Sequence, residues 1–284
     1  MKKKLLVLLA TTTLASTIII GCSTGTSDKK SGTSSQSSNN STVDFNKESN
    51  DAELTDEYLL SLPETPANEF KYEEIEGGVK ITAHSGINRY KSDLIIVIPN
   101  EIDGKKVIEL GDGVYSNHNH KAIVLNKNLR KIGDCFGKAK FKKVLIQDGI
   151  KNIGDDAFQY SKITEINIPD TVTTIGKNAF RGTNLKSIII PKSVKTIGDF
   201  AFSFCDNLEM IIFEGCPEWG LGSFGSYTKL KKVICYDGNL SFAATDFCLT
   251  SGSGNDKDIV FVGPKGSKVE ECTKNKGSKF EKLK

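Results

Sequence analysis

The sequence predicts a solenoid, mainly β with short helical turns, that completes one coil about every 22 residues. Three observations carry that prediction. A Gly column runs Gly111, Gly133, Gly154, Gly176, Gly198 and Gly220, preceded in turn by Leu110, Ile132, Ile153, Ile175, Ile197 and Trp219. An aromatic column, Phe136, Phe158, Phe180, Phe202 and Phe224, repeats at the same interval with Tyr115 at its head. The phrase "IPDTVTTIGKNAF" returns one period later as "IPKSVKTIGDFAF". A fixed period in this range marks units that bury their apolar faces only against one another.

Taken from the N-terminus, residues 1–21 read as an export signal. Lys2, Lys3 and Lys4 precede an apolar stretch, Leu5 to Ile20, with small residues after it. A membrane-spanning helix is the alternative, but the run falls short of the ~20 apolar residues needed and is diluted by Thr and Ser. The ending "IIGCS" resembles a bacterial lipobox, which implies a diacylglyceryl group on Cys22 and a chain tethered outside the cytoplasm. Loss of three Lys would take the formal charge from +3 to zero. That balance gives no global reason to expect nucleic acid as a partner. Residues 22–50 form a Ser/Thr/Asn-rich linker in which Val43 and Phe45 are the only sizeable apolar side chains. Such a segment buries too little to offset the entropy of ordering it, and its reach as a coil is roughly 30 Å.

Residues 51–107 read as an N-terminal cap. Thr55 is placed to cap a short helix that carries Asp56 and Glu57 in its first turn and stops at Pro63. Phe70 to His84 reads as a hairpin around Gly77 and Gly78, placed to cover the open end of a stacked core.

Residues 108–247 form the repeat array. Each unit opens with a strand, as in "NLKSIIIP", where Leu185, Ile188 and Ile190 alternate inward and Pro191 ends the ladder. Val194 and Ile197 then turn inward, and Gly198 either takes positive φ or lets backbones approach closely. "DFAF" brings Ala201 and Phe202 back as one turn of helix. Residues 248–284 close the array with a strand, a short helix ended by Gly277, and a last strand.

The phrases "IPDTVTTIGKNAF" and "IPKSVKTIGDFAFSFCDNLEMIIF", with the entry "YEEIEGGVKIT", resemble the BspA-type leucine-rich repeats of bacterial surface proteins over about Phe70 to Lys284. The resemblance implies a leucine-rich repeat solenoid of right-handed β/α type and a role in adhesion or capture. The chain departs from the general pattern at the Asn column, where Asn128, Gly149, Thr171 and Ser193 stand. Hydroxyls are expected to bond the turn backbone there.

Little in the sequence asks for catalysis. No HExxH, GxSxG, P-loop or strand-to-helix GxGxxG occurs, and no cofactor or metal motif is present. His118 and His120 form an H-x-H pair without further ligands, and His120 falls on an inward strand column. Beyond Cys22 six Cys remain, an even number able to pair outside the cell. Cys135, Cys205 and Cys235 fall where other repeats carry apolar or small residues, so buried thiols are expected. Eight basic residues between Lys121 and Lys143 face only Asp134, a run that reads as solvated loop and edge.

Alternation turns a second strand row away from the core: Val124, Leu145, Asn167, Ile189, Ile212 and Ile234. Five of these six are large and apolar, so the row reads as an exposed groove, as β-branched residues that suit strands wherever they point, or as a row that linker residues cover. Lys143, Glu165, Met210 and Lys232 flank it on one side, and Tyr236 on the other. The expectation is a lipid-anchored, non-enzymatic surface module that binds an extracellular protein or glycan through this row. The alternative is a structural spacer of the cell envelope with no defined ligand.

Overall fold

The computed structural model describes residues 54–227, 229–242 and 258–283. The expected export signal, the lipidation residue Cys22, the linker and Cys248 lie outside the described residues. Chain order begins with helix α1 (Asp56–Ser61), the hairpin β1 (Phe70–Ile75) and β2 (Gly78–His84), then β3 (Ile95–Val97), β4 (Glu101–Ile102) and β5 (Lys105–Leu110). Longer and shorter strands then alternate. They are β6 (Ala122–Leu125) and β7 (Lys131–Ile132), β8 (Lys143–Ile146) and β9 (Asn152–Ile153), β10 (Glu165–Ile166) and β11 (Thr174–Ile175). Next come β12 (Ser187–Ile190) and β13 (Thr196–Ile197), β14 (Met210–Phe213) and β15 (Glu218–Trp219), and β16 (Lys232–Cys235). The chain closes with β17 (Val260–Gly263), helix α2 (Lys268–Lys276) and β18 (Lys279–Lys282).

The fold is a mainly β solenoid with the expected period. Equivalent residues of successive coils pair in parallel, as in Ile188 with Ile211 and Ile175 with Ile197. The shorter strands make one unbroken ladder from β7 to β15. The longer strands do not: β3, β6, β8 and β10 form one sheet, and β12, β14, β16, β17 and β18 another. Among the described residues no ladder joins β10 to β12, so the main sheet is split in two. At the split, inward Ile166 and Ile168 are only half-buried, whereas their equivalents in the preceding coil, Val144 and Ile146, are 0% and 2% exposed.

The aromatic column is the spine of the core. Neighbouring rings from Phe136 to Phe224 stack with centroids 5.0–5.3 Å apart and planes within 12°. Tyr115 joins at 5.7 Å. All six rings are fully buried. Offset aromatic stacking at this separation adds about 0.5–1.5 kcal/mol per pair beyond the burial itself.

The return segment differs from expectation. It is a run of tight turns rather than a turn of helix: alternate N–H groups bond forward to the next coil, and those between them bond back to the residue three before, as Gln159 does to Asp156 and Ser161 to Phe158. Phe158 N–H donates to the Ala179 carbonyl at 2.8 Å, and Phe180 N–H to that of Ala201 at 2.8 Å. Asp156, Tyr160, Phe200 and Phe204 N–H groups donate to the following coil in the same way. Aiming alternate N–H groups along the solenoid axis puts Asp156, Asn178 and Phe200, and again Tyr160, Gly182 and Phe204, at positive φ. The Gly column, in contrast, is retained for close approach. A Cβ built on Gly198 would lie 2.5 Å from the Lys177 backbone nitrogen.

Both ends are closed. The hairpin forms as expected, with β2 parallel to β5, and places Val79 and Ile81 in the core. Thr65 lies beside the first strand of the main sheet, its N–H donating to the Val97 carbonyl and its Oγ1 accepting from Val97 N–H. At the other end β18 exposes Lys279, Glu281 and Lys282, charges that discourage a further strand from adding to the edge. Helix α2 starts at Ser267, whose hydroxyl accepts from Glu270 N–H, and ends at Gly277 with φ 72°.

Candidate functional site

The outer face of the main sheet is partly covered by helix α1. Thr55 Oγ1 accepts from Tyr58 N–H at 3.1 Å and starts α1, as the sequence leads one to expect. The single buried residue of that helix, Leu59, packs on Val97, Ala122, Val124 and Leu145, a cluster separate from the solenoid core. Val124 and Leu145 point outward as alternation requires, yet they are 1% and 3% exposed. The expectation that they face solvent is therefore corrected: the short helix lies across them. Lys143, expected on the rim, holds the helix down instead. Its Nζ donates to Asp56 Oδ1 at 2.7 Å and to the Leu54 carbonyl at 2.5 Å.

Asn167, the one polar member of the row, is turned to the backbone. Its Oδ1 accepts from Ile146 N–H at 2.8 Å and its Nδ2 donates to the Ile146 carbonyl at 2.7 Å. Beyond it the face opens. Ile189 is 47% exposed and Ile234 half-buried. Ile212, between them, is 4% exposed, a second correction: its two β-branched neighbours flank it on the same face, so one residue of the row rather than three stands free. Met210 and Lys232 are half-buried, Glu165 is exposed, and Tyr236 is 46% exposed. Lys232 Nζ pairs with Glu281 at 3.1 Å.

Three buried features are only partly legible in sequence. Thr171 Oγ1 donates to the Ile150 carbonyl and accepts from Gly149 N–H, as expected of a hydroxyl in that column, whereas the buried Ser193 Oγ has no partner. Cys135, Cys205 and Cys235 are buried free thiols, and burial pushes Cys205 up to about 11. All three His gather at the N-terminal end. His84 lies between Glu69 (3.2 Å) and the Tyr115 hydroxyl (3.2 Å), and His118 Nδ1 lies 3.1 Å from His120 Nε2. His120 Nδ1 lies 2.9 Å from the Lys91 carbonyl and must donate to it, so its Nε2 accepts from His118. Burial holds all three imidazoles below their ordinary value, His118 at about 4. Among the described residues no cluster of His, Cys, Asp and Glu is arranged to hold a metal ion, and no helix is long and apolar enough to cross a membrane.

Stacked coils of this period with one buried aromatic file define a leucine-rich repeat solenoid. The chain belongs to the BspA type leucine rich repeat family, whose repeat region matches in six copies over residues 96–164 and 133–250. Among solved structures it is similar to the T. pallidum leucine rich repeat protein, with 21% identity, a TM-score of 0.49, and coverage of 77% of this chain and 98% of that one. A leucine-rich repeat protein from Bacteroides ovatus is 18% identical, with a TM-score of 0.42 over 76% of this chain and 75% of that one. The pneumococcal vaccine antigen PcpA is 18% identical, with a TM-score of 0.42 over 76% of this chain and 47% of its own. No curated protein matches the chain.

Proposed function

We propose that this protein is a non-enzymatic recognition module of the bacterial surface, tethered by a lipid on Cys22, that binds an extracellular protein or glycan through the open half of its outer sheet face. The observation that carries the reading is the contrast along one row. The same apolar column is sealed by α1 at Val124 and Leu145 and left open at Ile189, with half-buried Ile234 and exposed Tyr236 on the same face. A chain that seals one half of an apolar strip and leaves Ile189 exposed in the other offers that open half to a partner. Rigid strands hold these side chains without a partner, so little ordering entropy is lost on binding. Charged Glu165 and Lys232 border the strip, the apolar centre and polar rim of protein-binding faces.

The test is retention of purified protein on host extracellular matrix and on intact cells. Ile189→Asp and Tyr236→Asp are expected to abolish retention while leaving the melting midpoint unchanged. Retention equal to that of the parent protein would remove this face from consideration.

A further inference from the structure

The return edge of the solenoid, opposite in kind to the sheet face, carries a second feature that the repeat does not require. Positive φ suits Gly, Asn and Asp and strains bulky side chains. The chain nevertheless places Tyr160 at φ 55°, Phe200 at 55° and Phe204 at 59°. Their column-mates Gly182, Asn178 and Gly222 show what the position favours. The rings are also supported from below. A Cβ on Gly182 would lie 2.5 Å from the Tyr160 ring, and one on Gly222 would lie 2.8 Å from the Phe200 ring. Tyr160 is 41% exposed and Phe204 42%.

Between the rings stands Arg181. Its guanidinium carbon lies 5.0 Å from the Phe204 ring centre and 5.7 Å from that of Phe200. Its Nε is buried without a hydrogen-bond partner, and its Nη1 has one long bond of 3.4 Å to Asn178 Oδ1. In the preceding coil the Asp156 carboxylate is engaged by Asn178 and Gln159. The result is a half-buried cation held against the Phe200 and Phe204 rings, with a single long hydrogen bond at Nη1.

We propose that this ledge binds an acidic oligosaccharide, with a sugar carboxylate on Arg181 and the apolar C–H faces of the sugar units on either side of it on Tyr160 and Phe204. Planar guanidinium matches carboxylate geometry in a way a point charge does not. The negative face of an aromatic ring attracts the weakly positive C–H face of a pyranose. The Tyr160 and Phe204 backbones are two coils apart, about 10 Å at ladder spacing, a span that takes two units of a linear chain with a third between them, in the coil of Arg181. Backbone strain held at surface aromatics, with a glycine beneath the Tyr160 ring, is the pattern of a site maintained against local preference.

The experiment uses the full chain against immobilised oligogalacturonate, hyaluronan tetrasaccharide and sialyllactose, with methyl-esterified oligogalacturonate, lactose and an acidic Phe-containing peptide as comparisons. Binding to at least one acidic sugar is expected, weakened about tenfold or more, which corresponds to about 1.4 kcal/mol, by Arg181→Ala, by Phe204→Asn and by loss of the sugar's charge. Arg181→Lys should recover only part of the affinity. Asn tolerates the left-handed backbone, so Phe204→Asn should melt at or above the parent temperature. A lower midpoint would assign Phe204 to the fold and overturn the proposal. So would absence of binding to every acidic sugar, equal binding of esterified and acidic forms, or preference for the peptide with the same residue dependence.

Discussion

The side-chain amide of Asn167 takes both backbone hydrogen bonds of Ile146, accepting from its N–H at 2.8 Å and donating to its carbonyl at 2.7 Å. An amide stands where a neighbouring strand would continue the ladder, and β10 stops after two residues. The main sheet divides beside this pair, and the covered and open halves of its outer face lie on either side.

Asn167→Ala should therefore destabilise the protein by about 1–3 kcal/mol, because Ile146 is buried and its backbone groups would lose their partners. Urea melts measure the effect directly. A loss within about 0.5 kcal/mol, the range of surface positions, would show that the backbone finds another partner on its own.

Phe180 lies between Phe158 at 5.3 Å and Phe202 at 5.1 Å. Phe180→Ala empties a large core site, and the expected destabilisation is about 3–5 kcal/mol. Because each coil is held by its neighbours, loss should propagate into both adjacent coils, seen as faster amide exchange at Phe158 and Phe202.

Gly198→Ala tests close approach rather than backbone conformation. The added methyl would meet the Lys177 nitrogen at 2.5 Å and the Gly176 carbonyl carbon at 2.6 Å, both main-chain atoms that have no freedom to swing aside. A destabilisation of about 1–3 kcal/mol is expected in denaturant melts.

Leu59→Ala should release α1 from the sheet. The helix has six residues and one buried side chain, so it has no stability of its own. Loss of amide protection confined to residues 56–61, with increased binding of an apolar dye as Val124 and Leu145 are uncovered, is the expected result. Unchanged protection would mean that the Lys143 contacts with Asp56 and Leu54 hold the helix alone.

Acid should loosen the N-terminal end. His118 titrates at about 4 when folded and near 6.5 when unfolded, held down by burial, by His120, by Arg89 and by His84. Between those values the unfolded chain binds more protons, so stability falls as pH falls; above 6.5 the group contributes no slope. The gap corresponds to about 3 kcal/mol at its fullest. His84 and His120 are lowered in the same direction, His84 against the pull of Glu69. Urea melts at pH 7.5 and 4.5 should differ accordingly, and His118→Gln should remove much of the difference.

What is legible in the sequence follows from repetition. The Phe and Gly columns recur at a fixed spacing, so every coil restates which side chains turn inward, and the core can be read before any coordinate. The helix at Thr55 and the hairpin at Gly77 carry local signals strong enough to stand alone. The outer face is less legible because its fate is decided at long range. Alternation says that Val124 and Leu145 point out, but nothing local says that Leu59, far earlier in the chain, will lie on them. In sequence Asn167 is a polar gap in an apolar row; that its amide replaces a strand depends on the neighbouring coil. The return segment reads as helix because an Ala-Phe pair after Gly fits a helical turn, and only stacking shows that alternate N–H groups bond forward to the next coil. The same stacking turns Tyr160, Arg181 and Phe204 from scattered turn residues into one ledge.

The ladder of short strands runs without interruption past the point where the main sheet divides. One margin of the molecule is thus a continuous binding of its pages, while the other has a fold line. Whole coils inserted or deleted at that line would need to rejoin only the continuous margin, which makes the seam the natural place for length to vary and for the two halves to diverge in what they recognise.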